Sequence, residues 1–353
     1  MSNSIRIDHR LIGTEHSCYI IAEAGVNHNG SLDIAKEMIE VAEKAGADAI
    51  KFQSFITEDL ITKEAPKTSY MLETTQANES QFRMLKGLEL SFEDHADLIN
   101  FCASTGITYL CTPYEKRSVD MLDEIDVPAY KIASTDTNNI PFLKYIASKG
   151  RPIILSTGMS SFGEIEQAIN TIQEVGDSNS IVILHCTSEY PTPFEDVNLR
   201  AIDTLKKAFG IPVGYSDHTR GIDASQWAVV LGADMIEKHF TLDRSFEGPD
   251  HSASIEPDEF KLMVNKIRLV ELALGSGVKR VMPSEKSNKS KLQKSLVAQN
   301  FILAGEEFTD LNITCKRPGT GLPPSWQERV IGNKAKTDIN IDEIITLSKI
   351  DWS

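Results

Sequence analysis

The 353-residue chain has no apolar run near the roughly 18 residues that a membrane helix needs. Its first residues, MSNSIRIDHR, lack an apolar core, so no secretory signal is expected. Cysteine is scarce: Cys18, Cys102, Cys111, Cys186 and Cys315 are scattered and form no C-x-x-C pair. That odd set argues against a disulfide framework and suits a reducing cytoplasm. Positive charge is also short, with 36 Lys and Arg against 51 Asp and Glu and a net charge of −15. No basic face for nucleic acid or anionic lipid is therefore expected. No low-complexity tract occurs, and 41% hydrophobic with 25% charged residues excludes wholesale disorder. The composition describes a soluble, acidic, cytoplasmic protein. Its length admits a (β/α)₈ barrel of about 250 residues plus an appendage.

Eight short β-branched, apolar segments recur along the chain, at 18–25, 47–54, 107–114, 129–134, 152–157, 181–188, 212–217 and 233–241. Most are continuous rather than alternating, as parallel strands buried on both faces should be. Amphipathic stretches lie between them, such as 31–46 and 163–176, each ending in Gly as a helix stop. The spacing fits one βα unit per repeat, apart from a longer gap with room for an extra loop at 57–80. Eight units predict an α/β fold, a closed (β/α)₈ TIM barrel over 1–280; an open doubly wound sheet is the alternative. A closing helix is expected at 255–274, a basic linker at 281–294 and a small compact domain at 295–353.

Barrel chemistry sits at the C-terminal ends of the strands. Here every candidate strand ends in polar groups, where one alone would merely satisfy a terminal carbonyl. In chain order these include Glu23, Lys51 and Gln53, Thr112 and Tyr114, Lys131, Ser134 and Asp136, and Ser156. Ser188 and Tyr190, Ser216 and His218, and Glu237 and His239 complete the series. Lys51 and Lys131 are charges inside apolar strands, where an unpaired ion costs several kcal/mol. Either they pair with Glu23 or Glu237, or they bind an anion with Thr112, Ser134, Ser156 and Ser216 as neutral donors. His218 and His239 fall on neighbouring barrel strands, an arrangement suited to a divalent metal with open positions. Zinc is disfavoured because no third protein ligand is evident. Either imidazole alone could equally be a hydrogen-bonded structural residue. His28 and His251 lie in polar turns as candidate supporting contacts, and His185 reads as part of a buried strand. GPDH at 248–251 is a turn that delivers Asp250 above the barrel mouth.

Several motifs together resemble the sialic acid synthase (N-acetylneuraminate or legionaminate synthase) family. They are AEAGVNHNGS (22–31), IKFQSF (50–55), YKIAS (130–134), ILSTGMS (154–160), HCTSEYPTPFEDVNL (185–199), GYSDHTRG (214–221) and IEKHFTLDRSFEGPDH (236–251). KSLVA and KRPGTG in the C-terminal part are similar to that family's antifreeze-like (SAF) domain. The resemblance implies condensation of phosphoenolpyruvate with an N-acylmannosamine-type aldose and water, giving a nine-carbon 2-keto acid and phosphate. It also implies manganese or magnesium as cofactor and a domain-swapped homodimer. By matching motif, His218 and His239 would hold the metal. Lys51, Thr112, Lys131, Ser134, Ser156, Ser188 and Ser216 would hold phosphoenolpyruvate. Glu23, Gln53, Tyr114, Asp136, Tyr190 and Asp250 would face the sugar, with Arg317 supplied by the other subunit's cap. Catalysis would rest on Glu23, Lys51, Lys131 and Asp250. Asp136 stands where the family commonly has Glu, and the stretch 65–90 looks like the sialic and legionaminic branch. The rivals are another phosphoenolpyruvate–aldose condensing enzyme and a non-catalytic carbohydrate-binding protein.

The swapped arrangement predicts complementation between two dead variants. Arg317→Ala and His239→Ala chains, unfolded and refolded together, should give mixed dimers with one site built from wild-type parts. Roughly a quarter of all sites should then recover. Mixed dimers that form but stay inactive would exclude the swap.

Overall fold

A computed structural model describes residues 4–67, 71, 75, 79–175 and 181–353. Two antiparallel strands, β1 (Ile5–Ile7) and β2 (Arg10–Ile12), open the chain. Eight strands follow: β3 (Tyr19–Gly25), β4 (Ala49–Ser54), β5 (Thr108–Pro113), β6 (Tyr130–Ile132), β7 (Ile153–Ser156), β8 (Ile181–His185), β9 (Val213–Asp217) and β10 (Met235–His239). They pair in sequence order, and β10 closes on β3. All pairings are parallel. Closure rules out the open sheet and leaves the expected barrel.

The strands read as continuous apolar runs because each has two dry faces. Alternate residues such as Ile20, Ile50, Ile132, Leu155, Ile183 and Ile236 pack outward against the helices. The other set, including Ile21, Ala49, Leu110, Ala129, Ile154, Val182 and Met235, fills the lumen. Ile5, Ile7 and Ile12 of the β1–β2 hairpin join this inner cluster and plug the barrel at its N-terminal end. The hairpin went unforeseen because six residues in two short strands carry too little periodicity to register.

The helices end where the sequence says they should. Ser31 caps Leu32–Ala45, its hydroxyl accepting from the Ile34 amide, and Gly46 stops it in the left-handed conformation. The second expected helix runs Phe162–Val175, and its Gly stop at 176 lies outside the described residues. The extra loop at 57–80 contains a short helix, Thr57–Leu60; within 65–90, residues 68–70, 72–74 and 76–78 also lie outside the described residues. The closing helix spans Pro257–Leu274.

Contacts divide the chain into Met1–Gly275 and Ser276–Ser353. The second unit has its own core of Leu296, Ile302, Phe308, Ile313, Val330, Ile339 and Ile345. Its strands Ser295–Ala298 and Ile313–Lys316 pair antiparallel. Within the basic segment, Lys286–Leu292 is helical and exposed. Arg317 directly follows the second of these strands.

Candidate active site

Strand parity builds the site. One step above the apolar layer of the lumen, the inward positions become Glu23, Lys51, Thr112, Lys131, Ser156, Ser216 and Glu237, all buried. They form the base of a cavity of ≈ 820 Å³ at the C-terminal ends of the strands. Every barrel residue given a catalytic, substrate or metal role from the sequence lines it: the six candidates Gln53, Tyr114, Ser134, Asp136, Ser188 and Tyr190 join that base, with His218, His239 and Asp250 above. Arg317 belongs to the second unit. Asn139, Met159 and Glu189 also line the cavity and were missed, because they lie in loops beyond the strand ends. Glu237 was noted only as a partner for lysine, yet it proves central.

The lysines are paired and still face open space. Lys51 Nζ sits 2.5 Å from Glu23 and 3.7 Å from Glu237, and donates to Thr112 Oγ1 at 3.0 Å. Lys131 Nζ lies 3.6 Å from Glu237. Ser216 donates to the same carboxylate at 2.9 Å. Burial favours neutral forms throughout this layer, but the mutual charges decide which groups yield. Burial opposes the charge on Lys51, yet Glu23 and Glu237 raise its pKa; for Lys131, burial wins and lowers it. Burial raises the Glu23 carboxyl, with Lys51 only partly compensating. Glu237 goes the other way: Lys131 and then Lys51 overcome its burial and keep it ionised. Of the two carboxyls, Glu23 is the one poised to exchange a proton.

Neutral donors surround this layer. Ser156 Oγ is buried without a hydrogen-bond partner. Ser134 Oγ accepts from the Gly158 amide at 3.0 Å, and a Cβ on Gly158 would stand 2.2 Å from Ser188 Oγ. Ser134 and Ser188 thus converge on one spot. On the opposite side Gly25 adopts φ +54, and a Cβ there would meet Gln53, Glu23 and Asp250 within 3.5 Å. Gln53 Nε2 donates to Glu23 Oε1 at 3.3 Å. Asp136 accepts from Asn139 at 2.9 Å.

The rings of His218 and His239 stand 5.4 Å apart, and Tyr190 packs on both. His218 Nδ1 donates to the Thr187 carbonyl at 2.6 Å, which leaves Nε2 as an acceptor, 3.3 Å from Ser216 Oγ. His239 Nδ1 is buried without a hydrogen-bond partner, 3.9 Å from Asp250. Burial pushes His218 down to about 4 and His239 well below its ordinary value, so both rings are neutral near pH 7. Neutral imidazoles, one oriented by a carbonyl and one with an orphaned nitrogen, fit a divalent cation. Among the described residues no cluster of three or more His, Cys, Asp or Glu could hold a metal, so the pair would leave several positions open. His28 and His251 lie off the cavity: His28 accepts from the Gly30 amide and His251 bonds Thr241 and Asn29. His185 bonds the Val197 carbonyl, as a structural strand residue should.

A family model described as NeuB family matches residues 38–279, and one for the SAF domain matches 293–351. The N,N'-diacetyllegionaminic acid synthase of Campylobacter jejuni is 48% identical, over 92% of this chain and 98% of that protein. The human N-acetylneuraminate-9-phosphate synthase is 38% identical over 97% and 95%. The N-acetylneuraminic acid synthetase of Leptospira borgpetersenii, solved with citrate, superposes with TM-score 0.72 at 36% identity, over 82% and 95% of the two chains.

Burial lifts the Asp250 carboxyl to about 6, against a weaker opposing pull from Lys51. A folded pKa above the unfolded value near 3.9 means that stability is lost as pH rises from about 4 through about 6. Asp250→Asn should therefore gain on the wild type over that window, by about 3 kcal/mol at pH 8 and nothing below pH 4. Urea unfolding in metal-free buffer at the two pH values measures the difference; equal gaps at both would refute it.

Proposed function

The chain belongs to the NeuB family, and we propose that its barrel condenses phosphoenolpyruvate with an N-acylmannosamine-type aldose and water. The products are a nine-carbon 2-keto acid of the sialic or legionaminic type and phosphate, which makes the protein a C–C bond-forming transferase. The observation that carries this reading is the cavity base, where two buried lysines and a ring of hydroxyls adjoin two neutral histidines. A small, multiply charged anion suits that base. Lys51 and Lys131 would take its phosphate and carboxylate, with Thr112, Ser134, Ser156, Ser188 and Ser216 as neutral donors.

The aldose would lie above the anion, against Gln53, Tyr114, Asp136, Tyr190 and Asp250. A divalent cation, manganese or magnesium, held by His218 and His239, would supply Lewis acidity to the aldehyde. With the aldehyde carbon set against C3 of phosphoenolpyruvate, the enol attacks, the aldehyde C=O π bond opens as the C–C bond forms, and the oxygen takes up a proton to become a hydroxyl. Positive charge then develops at C2, beside ionised Glu237. Water adds there and gives its proton to Glu23, whose raised pKa suits it to the transfer. The tetrahedral adduct breaks its C–O bond and releases phosphate, held by the two lysines as its charge grows. Arg317 would come from the partner's second unit and offer the sugar a forked donor. Among the described residues no helix is long and apolar enough to cross a membrane. Five free thiols accord with the cytoplasm, where we place the reaction.

Solvent oxygen tests the bond cleaved. In labelled water the label should appear in the 2-keto acid and not in phosphate. Label found mainly in phosphate would mean attack at phosphorus and would refute this order of bond breaking.

The metal is tested separately. Chelation should abolish turnover, with manganese or magnesium restoring it, and His218→Ala and His239→Ala should each lose metal binding by calorimetry while staying folded. Full turnover in a demonstrably metal-free sample refutes the assignment.

A further inference from the structure

The cavity has one wall unlike the rest. Val26, Phe55 and Met84 are buried and form a small apolar cluster of their own, separate from the barrel core, with Leu60, Met71, Leu85 and Tyr114 packed against it. All seven line the cavity, and Ile61 adds to them. Most come from the long connection between β4 and β5, including the short helices Thr57–Leu60 and Gln81–Lys86. That connection could have presented charge, for it holds several cations. Arg83 instead lines a separate cavity of ≈ 500 Å³, and Lys86 pairs with Glu58 and Glu89 on the surface. Asp59, the charged residue of this wall, holds Arg117 at 3.2 Å. Among the described residues the only cations lining the main cavity are Lys51 and Lys131, both paired at its base.

Resting on the condensation reading above, we propose that this wall is the specificity surface for the end of the aldose remote from the aldehyde. It takes a methyl-terminated group, either a deoxy terminus at C6 or the acyl methyl of a second acetamido substituent. A 6-hydroxyl buried there would exchange water for mostly apolar side chains, with only the Gln81 amide, which reaches Met71 Sδ at 3.7 Å, and the Tyr114 hydroxyl as uncharged polar groups among the described residues of this wall. A 6-phosphate would bring a dianion against Met and Leu side chains and the Asp59 carboxylate, with no cation of this wall among the described residues to receive it. The wall therefore selects an unphosphorylated, deoxygenated aldose. Leu60 and Met84 determine this choice by contact with the substrate, at some distance from the reacting atoms.

The test gives the full-length, metal-loaded chain phosphoenolpyruvate and one of four aldoses, and follows phosphate release. The aldoses are N-acetylmannosamine, its 6-deoxy form, the diacetamido-trideoxymannose and N-acetylmannosamine 6-phosphate. The diacetamido-trideoxy sugar should exceed N-acetylmannosamine in kcat/KM by roughly 10-fold or more, and the phosphate should not be turned over. Full gain with the 6-deoxy form places the C6 methyl on the wall; gain only with the diacetamido sugar places the acyl methyl there. Met84→Thr should shrink the preference ratio, and so should Leu60→Thr, at a less buried position where folding is less at stake. Equal or better turnover of N-acetylmannosamine, or turnover of its 6-phosphate, overturns the inference and leaves the condensation intact. An unchanged ratio in both variants also overturns it. Phosphate release with none of the four sugars overturns both readings.

Discussion

Four ionisable side chains share one layer of a barrel lumen: Glu23, Lys51, Lys131 and Glu237. Removing any such ion from water costs several kcal/mol, and removing one member of a pair strands its partner. Barrel closure is what makes the layer tolerable. The register of β3 on β4 sets Glu23 beside Lys51, and that of β10 on β9 sets Glu237 beside Ser216. β10 in turn pairs with β3, bringing His239 alongside Glu23. A slip of one residue in any strand would turn its polar groups into the apolar layer behind the sheet.

The layer is asymmetric along the barrel axis. Below it the lumen is filled by Ile21, Leu110, Ile154, Val182 and the isoleucines of the N-terminal hairpin. Apart from the Tyr19 hydroxyl that filling is apolar among the described residues, so the charges find their partners in one another or in whatever enters from above. Dry surroundings strengthen each electrostatic contact that a ligand makes. The same burial keeps both histidines unprotonated and lifts the Glu23 and Asp250 carboxyls. One physical cause thus sets neutral imidazoles, carboxyls raised toward neutrality and buried lysines side by side in a single cavity.

The cavity wall divides along the chain's connections. The loops after β6 to β9 bring mainly polar groups such as Ser134, Asn139, Ser188 and His218, whereas the long connection after β4 brings Leu60, Met84 and Leu85. A substrate charged at one end and apolar at the other would match that division. On the proposed reading, the strand ends hold the reacting groups and the inserted segment is left to vary the recognition of what lies beyond them.

Much of this was legible in the chain itself. Continuous β-branched runs at one-unit spacing declared eight parallel strands, and polar residues at each run's end marked the mouth. Because side chains alternate along a strand, Glu23, Lys51, Lys131, His218 and His239 had to face the same interior once the barrel closed. Three things were not legible. The hairpin plug is too short to leave a periodic signal. Asn139, Met159 and Glu189 lie in loops whose direction no local pattern encodes. Whether Lys51 and Lys131 served an internal carboxylate or an anion could not be read either, since composition cannot reveal which ion pairs have a cavity beside them. The sequence by itself determined the order of the strands and the chemistry at their tips. Only the tertiary structure decided that Glu237 would stay ionised while Glu23 was pushed toward its neutral form. That difference arises from distances to two lysines, which exist only after the ring of strands has closed.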